Sequence, residues 1–177
     1  EDKQVIVYMP TWRGRVTNPG SPSIIETVEA LFEVLDNTLT DNQVFYAKFH
    51  VFTANAISFD KYKHIKPFPS GCETYELLNT ADVLVTDYSS VFFDFANTGR
   101  KIILYPYDFD TYIGSRGLHT ELDSLPFPKG YTAAAFAEEL NRPKEYDDTE
   151  FLENYCRYDN KDAAVRLAKQ VFLGEDV

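Results

Sequence analysis

Cysteine is scarce in this chain: Cys72 and Cys156 are the only two in 177 residues. They form neither a metal-ligand spacing nor a disulfide framework, and reduced thiols in a cytosolic protein are the simplest account. Long apolar runs are also lacking. None approaches the ~20 residues needed to cross a bilayer, and no signal-peptide pattern is visible. Basic charge is in short supply: 17 Lys and Arg against 28 Asp and Glu give a formal net charge of −11. That balance disfavours non-specific binding of this segment to nucleic acid or an anionic membrane surface. An anionic ligand would need local basic groups, which singles out Arg13, Lys48, His50, Arg100 and Arg116. Of the remaining histidines, His64 and His119 stand in no partner pattern and read as surface residues. There is no zinc cluster, no cysteine nucleophile setting and no Ser-His-Asp arrangement; neither a metal nor a cofactor is expected. Internal repeats, low-complexity segments and linkers are absent, so residues 1–177 read as a single domain.

What is present is apolar and aromatic. Hydrophobic residues make up 44% and aromatics 15%, a globular composition in a chain long enough for a real core. The charged start Glu1-Asp2-Lys3 leads straight into a strand, and a missing amino-terminal part is expected. Val5 to Met9 is a continuous apolar run, the mark of a strand buried on both faces. Pro10 ends it, and Thr11-Trp12-Arg13-Gly14 follows as a loop. Asn18-Pro19-Gly20-Ser21-Pro22 is turn chemistry. A helix is predicted over Ser23 to Asn37, with Ile24, Val28, Leu31, Phe32 and Leu35 on one stripe. Strands are predicted over Val44 to Ala47 and Tyr62 to Lys66, with only a weak signal from Val51 to Asp60. A short helix over Glu73 to Asn79 offers Tyr75, Leu77 and Leu78 to the core. Lys101 to Tyr105 is the fifth strand. Tyr107 to Gly130 reads as a long loop, and loops of that length in a compact domain are usually functional. Helices over Tyr131–Leu140, Thr149–Tyr155 and Asp159–Leu173 close the chain.

The most informative stretch is Ala81 to Gly99. Val83-Leu84-Val85 is a buried strand; the pattern breaks at Thr86-Asp87 and restarts as a helix with Val91, Phe92, Phe95 and Ala96 on one face. Ser89 or Ser90 can cap it, and Gly99 is its stop. One reading of the serines is capping alone. The other is anion binding, because such a turn presents backbone N–H groups and the positive end of a helix at the sheet's carboxyl edge.

Alternating strands and helices predict βαβ units, a parallel sheet and right-handed crossovers. Thr11 and Arg13, Lys48 and His50, and Ser89 and Ser90 then fall at the ends of the first, second and fourth strands, along one edge. In open α/β sheets ligands sit on that edge. A pyrophosphate there would meet N–H groups, hydroxyls and one or two cations, and phosphoryl transfer depends mainly on positioning and charge stabilisation. Bland alternatives stand beside each residue: Arg13 as a surface arginine on loop carbonyls, Trp12 as packing, His50 as a strand-end histidine. Asp87 and Asp94 resemble a carboxylate pair, but Asp87 is read as fixing the turn and Asp94 as lying on the helix.

Thr86-Asp87-Tyr88-Ser89-Ser90-Val91-Phe92-Phe93-Asp94-Phe95, then Arg100-Lys101-Ile102-Ile103-Leu104-Tyr105-Pro106-Tyr107-Asp108, then Arg116-Gly117, resembles the CDP-glycerol glycerophosphotransferase family, the enzymes that prime and extend teichoic acid and related polyol-phosphate polymers. The likeness runs from Tyr8-Met9-Pro10-Thr11-Trp12-Arg13 to Tyr158-Asp159-Asn160-Lys161-Asp162-Ala163-Ala164-Val165-Arg166. It implies a Rossmann-like parallel sheet with helices on both faces, one half of a GT-B glycosyltransferase fold, that binds a CDP-polyol. It implies His50 as a catalytic donor-site group, Thr11, Arg13, Lys48, Asp87, Ser89, Ser90 and Arg116 at the substrate, and the general base in an amino-terminal half outside this sequence. By the same resemblance that half contacts a polyol-phosphate or lipid-linked acceptor, and the whole protein sits at the inner face of the cell membrane. The family's usual Lys-x-His-Pro is here Lys48-Phe49-His50-Val51, and the residues after Gly117 depart from the family pattern. The alternatives are a CDP-ribitol or nucleotide-sugar transferase domain, or a non-catalytic flavodoxin- or receiver-like domain. Against a receiver, the first strand ends in Met9-Pro10-Thr11 rather than in an acidic cluster.

Overall fold

The apolar runs without alternation become strands because both of their faces are covered. The computed structural model describes residues 3–13, 22–118 and 120–174. Five strands form one sheet: β1 (Gln4–Tyr8), β2 (Gln43–Ala47), β3 (Ile65–Pro67), β4 (Val83–Thr86) and β5 (Lys101–Leu104), in the order β3-β2-β1-β4-β5. All pairings are parallel, with Val7 of β1 opposite Tyr46 of β2 and Leu84 of β4. The edge beyond β5 is covered by the 128–130 segment, where Leu104 N–H donates to Pro128 O and Gly130 N–H to Leu104 O. Pairing an edge in this way removes a site for unwanted strand addition.

The period-2 rule divides the strand residues between two cores. Ile6, Tyr8, Phe45, Val83, Val85 and Ile103 face one side. They pack against α1 (Pro22–Thr38), through Val28, Leu31, Phe32 and Leu35, and against α6 (Ala133–Asn141), through Phe136 and Leu140. Val7, Leu84, Ile102 and Leu104 face the other side. There they meet Leu78 of α3 (Thr74–Thr80), the apolar face of α4 (Val91–Ala96), and Phe151 of α7 (Thr149–Phe151). This is the expected Rossmann-like sheet with helices on both faces.

Several local expectations are corrected. Tyr107 to Gly130 is not mostly loop: it contains α5 (Phe109–Arg116) and a 3₁₀ turn at Leu122–Ser124. The third strand is later and shorter than Tyr62 to Lys66, and Tyr62 instead packs edge-on against Phe32, ring centroids 5.4 Å apart. Between β2 and β3 the weak signal resolves into a single turn of helix, α2 (Val51–Ala54). Tyr75 is exposed rather than in the core, because its hydroxyl reaches out to Asp94. His64 is buried rather than on the surface, and its backbone N–H donates to Asp36 Oδ1 at 2.7 Å. The last helix is shorter than Asp159 to Leu173: α8 (Ala163–Ala168) runs on into a π-helical turn, and neither contributes a buried residue. His119 and the Asn18–Ser21 turn lie outside the described residues.

Candidate functional site

The sheet order reverses between β1 and β4, since the chain moves outward through β2 and β3 on one side and β4 and β5 on the other. In open α/β sheets the crevice outside the carboxyl ends at such a reversal is the ligand position. Here it is bounded by Thr11–Arg13 after β1 and Asp87–Ser90 after β4, and these two loops are bonded to each other. Thr11 N–H donates to Asp87 Oδ1 at 2.8 Å, and Arg13 NH2 pairs with Asp87 Oδ2 at 2.6 Å.

Asp87 is fully buried, so its charge needs partners. It has Thr11 N–H, Arg13 and its own neighbour's N–H, Tyr88, at 2.6 Å. These bonds fix the turn that presents Ser89 and Ser90. Arg13 is equally committed: Nε donates to Asp108 Oδ2 at 2.6 Å, NH2 also to Asp108 Oδ1 at 3.1 Å, and NH1 to Thr11 O. The guanidinium carbon lies 5.0, 5.5 and 5.2 Å from the ring centres of Tyr88, Tyr107 and Tyr112. Burial alone would lower the arginine's pKa, but the two carboxylates outweigh it and hold it above its ordinary value. Arg13 is therefore neither a surface arginine nor an open cation: its donors point inward. Burial, with Asp108 second, likewise pushes the Tyr88 phenol up, and burial lifts Tyr107 to about 12. Both tyrosines stay neutral at physiological pH.

Ser90 occupies the N-cap position of α4 but its side chain makes no capping bond, while Ser89 Oγ accepts from Val91 N–H at a long 3.4 Å. Ser90 is exposed at the mouth of a cleft that it shares with Tyr88, Tyr112 and Gly117. Across the edge, His50 stacks on Trp12 with centroids 5.1 Å apart and planes at 23°. The Lys48 ammonium lies 5.3 Å from the Phe68 ring centre. Thr11 Oγ1 is buried with no hydrogen-bond partner among the described residues, and it lines a small cavity with Trp12, Phe49 and His50. Arg116, at the last turn of α5, donates to Trp12 O at 3.0 Å. Arg100 stands elsewhere. It precedes β5 at the opposite edge and donates to Asn79 O and Ala81 O, ending α3.

Sequence reasoning missed Asp108, Tyr107 and Tyr112 because they fall in the segment read as loop. A signal was available: Asp108 follows the end of β5 as Asp87 follows that of β4, so edge logic applied to β5 would have found it.

Fold and switch-point edge together define a doubly wound α/β domain, the architecture of one half of a GT-B glycosyltransferase. The chain belongs to the CDP-glycerol:poly(glycerophosphate) glycerophosphotransferase family, whose model matches residues 1–173. It is 29% identical to a teichoic acid poly(glycerol phosphate) polymerase of Bacillus spizizenii, over 97% of this chain and 45% of that protein. It is 31% identical to a teichoic acid glycerol-phosphate transferase of Staphylococcus aureus, over 97% of this chain and 46% of that one. Among solved structures, the wall teichoic acid polymerase TagF is similar at a TM-score of 0.74 and 27% identity, over 94% of this chain and 43% of the other. A TagF variant with CDPG from a soak is similar at 0.73 and 28% identity, over 94% and 42%. The chain thus spans less than half the length of these relatives.

Proposed function

We propose that this chain is the donor-binding lobe of a transferase that moves glycerol phosphate from CDP-glycerol to a hydroxyl of a growing teichoic acid or related polymer, releasing CMP. The observation that carries this reading is the assembly at one sheet edge: His50 and Lys48 after β2, Ser89 and Ser90 after β4, and Arg116 from α5, around the fixed Arg13–Asp87 pair. The two exposed or half-exposed serines offer hydroxyl donors, and Lys48 and Arg116 offer positive charge in an otherwise acidic chain. Phosphoryl transfer needs such preorganised charge and little covalent help. The similarity to a TagF variant with CDPG supports a cytidine donor.

In this reading His50 donates to the donor's phosphate side as the leaving CMP gains charge, and Thr11 and Asp87 shape the loop beneath. Arg13 acts by holding that loop. The hydroxyl's general base, the lipid-linked acceptor site and contact with the inner membrane face belong to the rest of a longer protein. No described helix is long and apolar enough to cross a membrane, and a net charge of −11 is a poor fit to an anionic surface.

The test is calorimetry on this domain with CDP-glycerol, CDP-ribitol, CDP, a UDP-sugar, AMP and FMN side by side. Tighter binding of the cytidine ligands than of AMP or FMN supports the proposal. Flavin binding without cytidine binding overturns it in favour of a flavodoxin-like module. Preference for CDP-ribitol retains the transferase and changes the polyol, an alternative supported by 32% identity to a Bacillus spizizenii poly(ribitol-phosphate) polymerase over 99% of this chain and 29% of that protein.

A further inference from the structure

Helix α5 lies over the carboxyl edge yet contributes no buried residue, and its Ile113 is 43% exposed. Apolar burial, which positions most helices, is slight here: Phe109 alone packs, half-buried, against the second core. The specific tie is polar and sits at the amino end. Asp108 occupies the N-cap position, where an aspartate normally accepts from the first-turn N–H groups. Its side chain makes no such bond. The carboxylate turns inward instead, taking Arg13 Nε at 2.6 Å, Arg13 NH2 at 3.1 Å and the Tyr88 hydroxyl at 3.1 Å. Local capping is given up for a tie to the turns after β1 and β4.

The tie is reinforced by ring contacts. Tyr112, one turn into α5, stacks on Tyr88 with centroids 3.8 Å apart and planes at 20°, and the Arg13 guanidinium packs against both rings. From there α5 runs to Arg116 and to Gly117, whose φ of 71° ends the helix. The cleft beside Ser90 has the β4–α4 turn as one wall and Tyr112 with Gly117 as the other.

We propose that Asp108 is a positioning residue: by tying α5 to Arg13 and Tyr88, it sets where Tyr112 and Gly117 stand across the cleft from Ser90 and where Arg116 meets the Trp12 carbonyl. The ligand side of this inference rests on the proposed nucleotide reading, whereas its structural side does not. In this role Asp108 need not touch a ligand. It acts through Arg116 and through the width of the cleft.

The test combines hydrogen exchange and a double-mutant cycle on this domain. Asp108→Asn is expected to speed exchange of the α5 amides about tenfold or more while strand amides keep their protection, because local opening is what the tie prevents. The dissociation constant for CDP is expected to rise about tenfold, the scale of one lost hydrogen bond to a charged group. In an Arg116→Ala background the same substitution should change CDP affinity less than about threefold, since coupled groups are not additive. Unchanged α5 exchange, or fully additive losses, overturns the proposal. Should Asp108→Asn fail to fold, Tyr88→Phe removes one hydroxyl from the tie and keeps the ring stack. It must then show the same α5-specific opening at smaller size, and its absence overturns the proposal equally. A parent domain that does not bind CDP defeats the nucleotide reading, while the exchange measurement still decides the role of Asp108.

Discussion

The Trp12 indole lies against the His50 imidazole, ring centres 5.1 Å apart and planes tilted by 23°. The two residues follow neighbouring parallel strands, β1 and β2, and the stack joins their loops. It also sets the plane of the His50 ring, while the His50 carbonyl accepts the Thr53 and Ala54 N–H groups at the start of α2. A ring so held can present one nitrogen to a phosphate without a large ordering cost. In the full-length protein, on the proposed function, His50→Gln keeps one donor and is expected to retain more activity than His50→Ala, which should lose about 10²–10³ in kcat, as for removal of one preorganised donor. Steady-state rates on the two variants check this; equal losses would show that donation is not what His50 contributes. Trp12 is the chain's single tryptophan, so its fluorescence gives an independent report of the same loop during a CDP titration.

The two serines separate stability from binding. Ser89 Oγ accepts from Val91 N–H at 3.4 Å, and Ser90 makes no capping bond. Ser90→Ala should change stability by less than about 0.5 kcal/mol, as for exposed positions generally. Adding Ser89→Ala should cost less than the ~1 kcal/mol of a good cap. If both hydroxyls serve a pyrophosphate, the double variant should weaken CDP binding by about one to a few kcal/mol. Thermal melts without ligand and calorimetry with it make the comparison. A clear stability loss with unchanged affinity would return the serines to a capping role.

Arg13 should behave in the opposite way. Asp87 is fully buried and Arg13 is its charged partner at 2.6 Å. Removing one member of a buried pair leaves the other charge uncompensated, typically at a cost of about 3–5 kcal/mol. Arg13→Met is therefore expected to lower unfolding stability by about 3 kcal/mol or more, measured by urea denaturation of the ligand-free domain. Arg13→Lys keeps the charge but cannot span Asp87 and Asp108 with one planar fork, and should recover part of the loss. A variant as stable as the parent would mean that Arg13 is available to ligand after all.

Much of the fold was legible because its signals were strong. Val5 to Met9, Val83 to Val85 and Ile102 to Tyr105 are unbroken apolar runs closed by Pro10, Thr86-Asp87 and Pro106, and they became three adjacent parallel strands. The same-edge placement of Arg13, Lys48, His50, Ser89 and Ser90 followed from parallel order alone. The helix at Phe109–Arg116 was not legible because nothing in it is buried, so it carries no apolar period to read. Its amino end is tied by Asp108 to Arg13 and Tyr88, which meet across 95 and 20 residues of chain. The partners of Arg13 were hidden for the same reason: a sequence shows which cations are present, and only the fold shows which carboxylates reach them. His64 misled because it stands just before β3 and is covered by the fold, a burial with no local sequence mark.

Gly130 gives a prediction that tests the fold alone. A methyl group built on its Cα would stand 2.5 Å from the Phe136 Cα, a backbone atom of α6. No side-chain rotation relieves that contact, so Gly130→Ala must displace α6 from the β5 edge. Overpacking of this kind typically costs about 1–3 kcal/mol, and the loss should appear as an earlier urea midpoint with the slope kept. A neutral substitution would show that the 128–130 segment and α6 are looser than their approach implies.

Lys101 is a charged residue inside a strand, only 8% exposed. A buried ammonium needs acceptors, and it finds them at the end of α6, donating to the carbonyls of Glu139, Leu140 and Arg142. These carbonyls lie at the carboxyl end of the helix, where the chain supplies few donors of its own (among the described residues only Glu139 O also accepts, from Arg142 N–H) and where a positive charge is favoured by the helix dipole. Lys101 therefore does for α6 what a C-cap motif does elsewhere, from a strand rather than from the next turn. Lys101→Met keeps the length and apolar stem of the side chain and removes the donors. It should cost about 2–3 kcal/mol, the worth of hydrogen bonds from a charged group together with carbonyls left buried. The loss should be accompanied by faster hydrogen exchange in the last turn of α6, since that turn alone loses the donor to its carbonyls. Unchanged exchange there with a large global loss would mean that Lys101 stabilises β5 itself rather than the helix end, and a stability equal to the parent would mean that water replaces the ammonium at the three carbonyls.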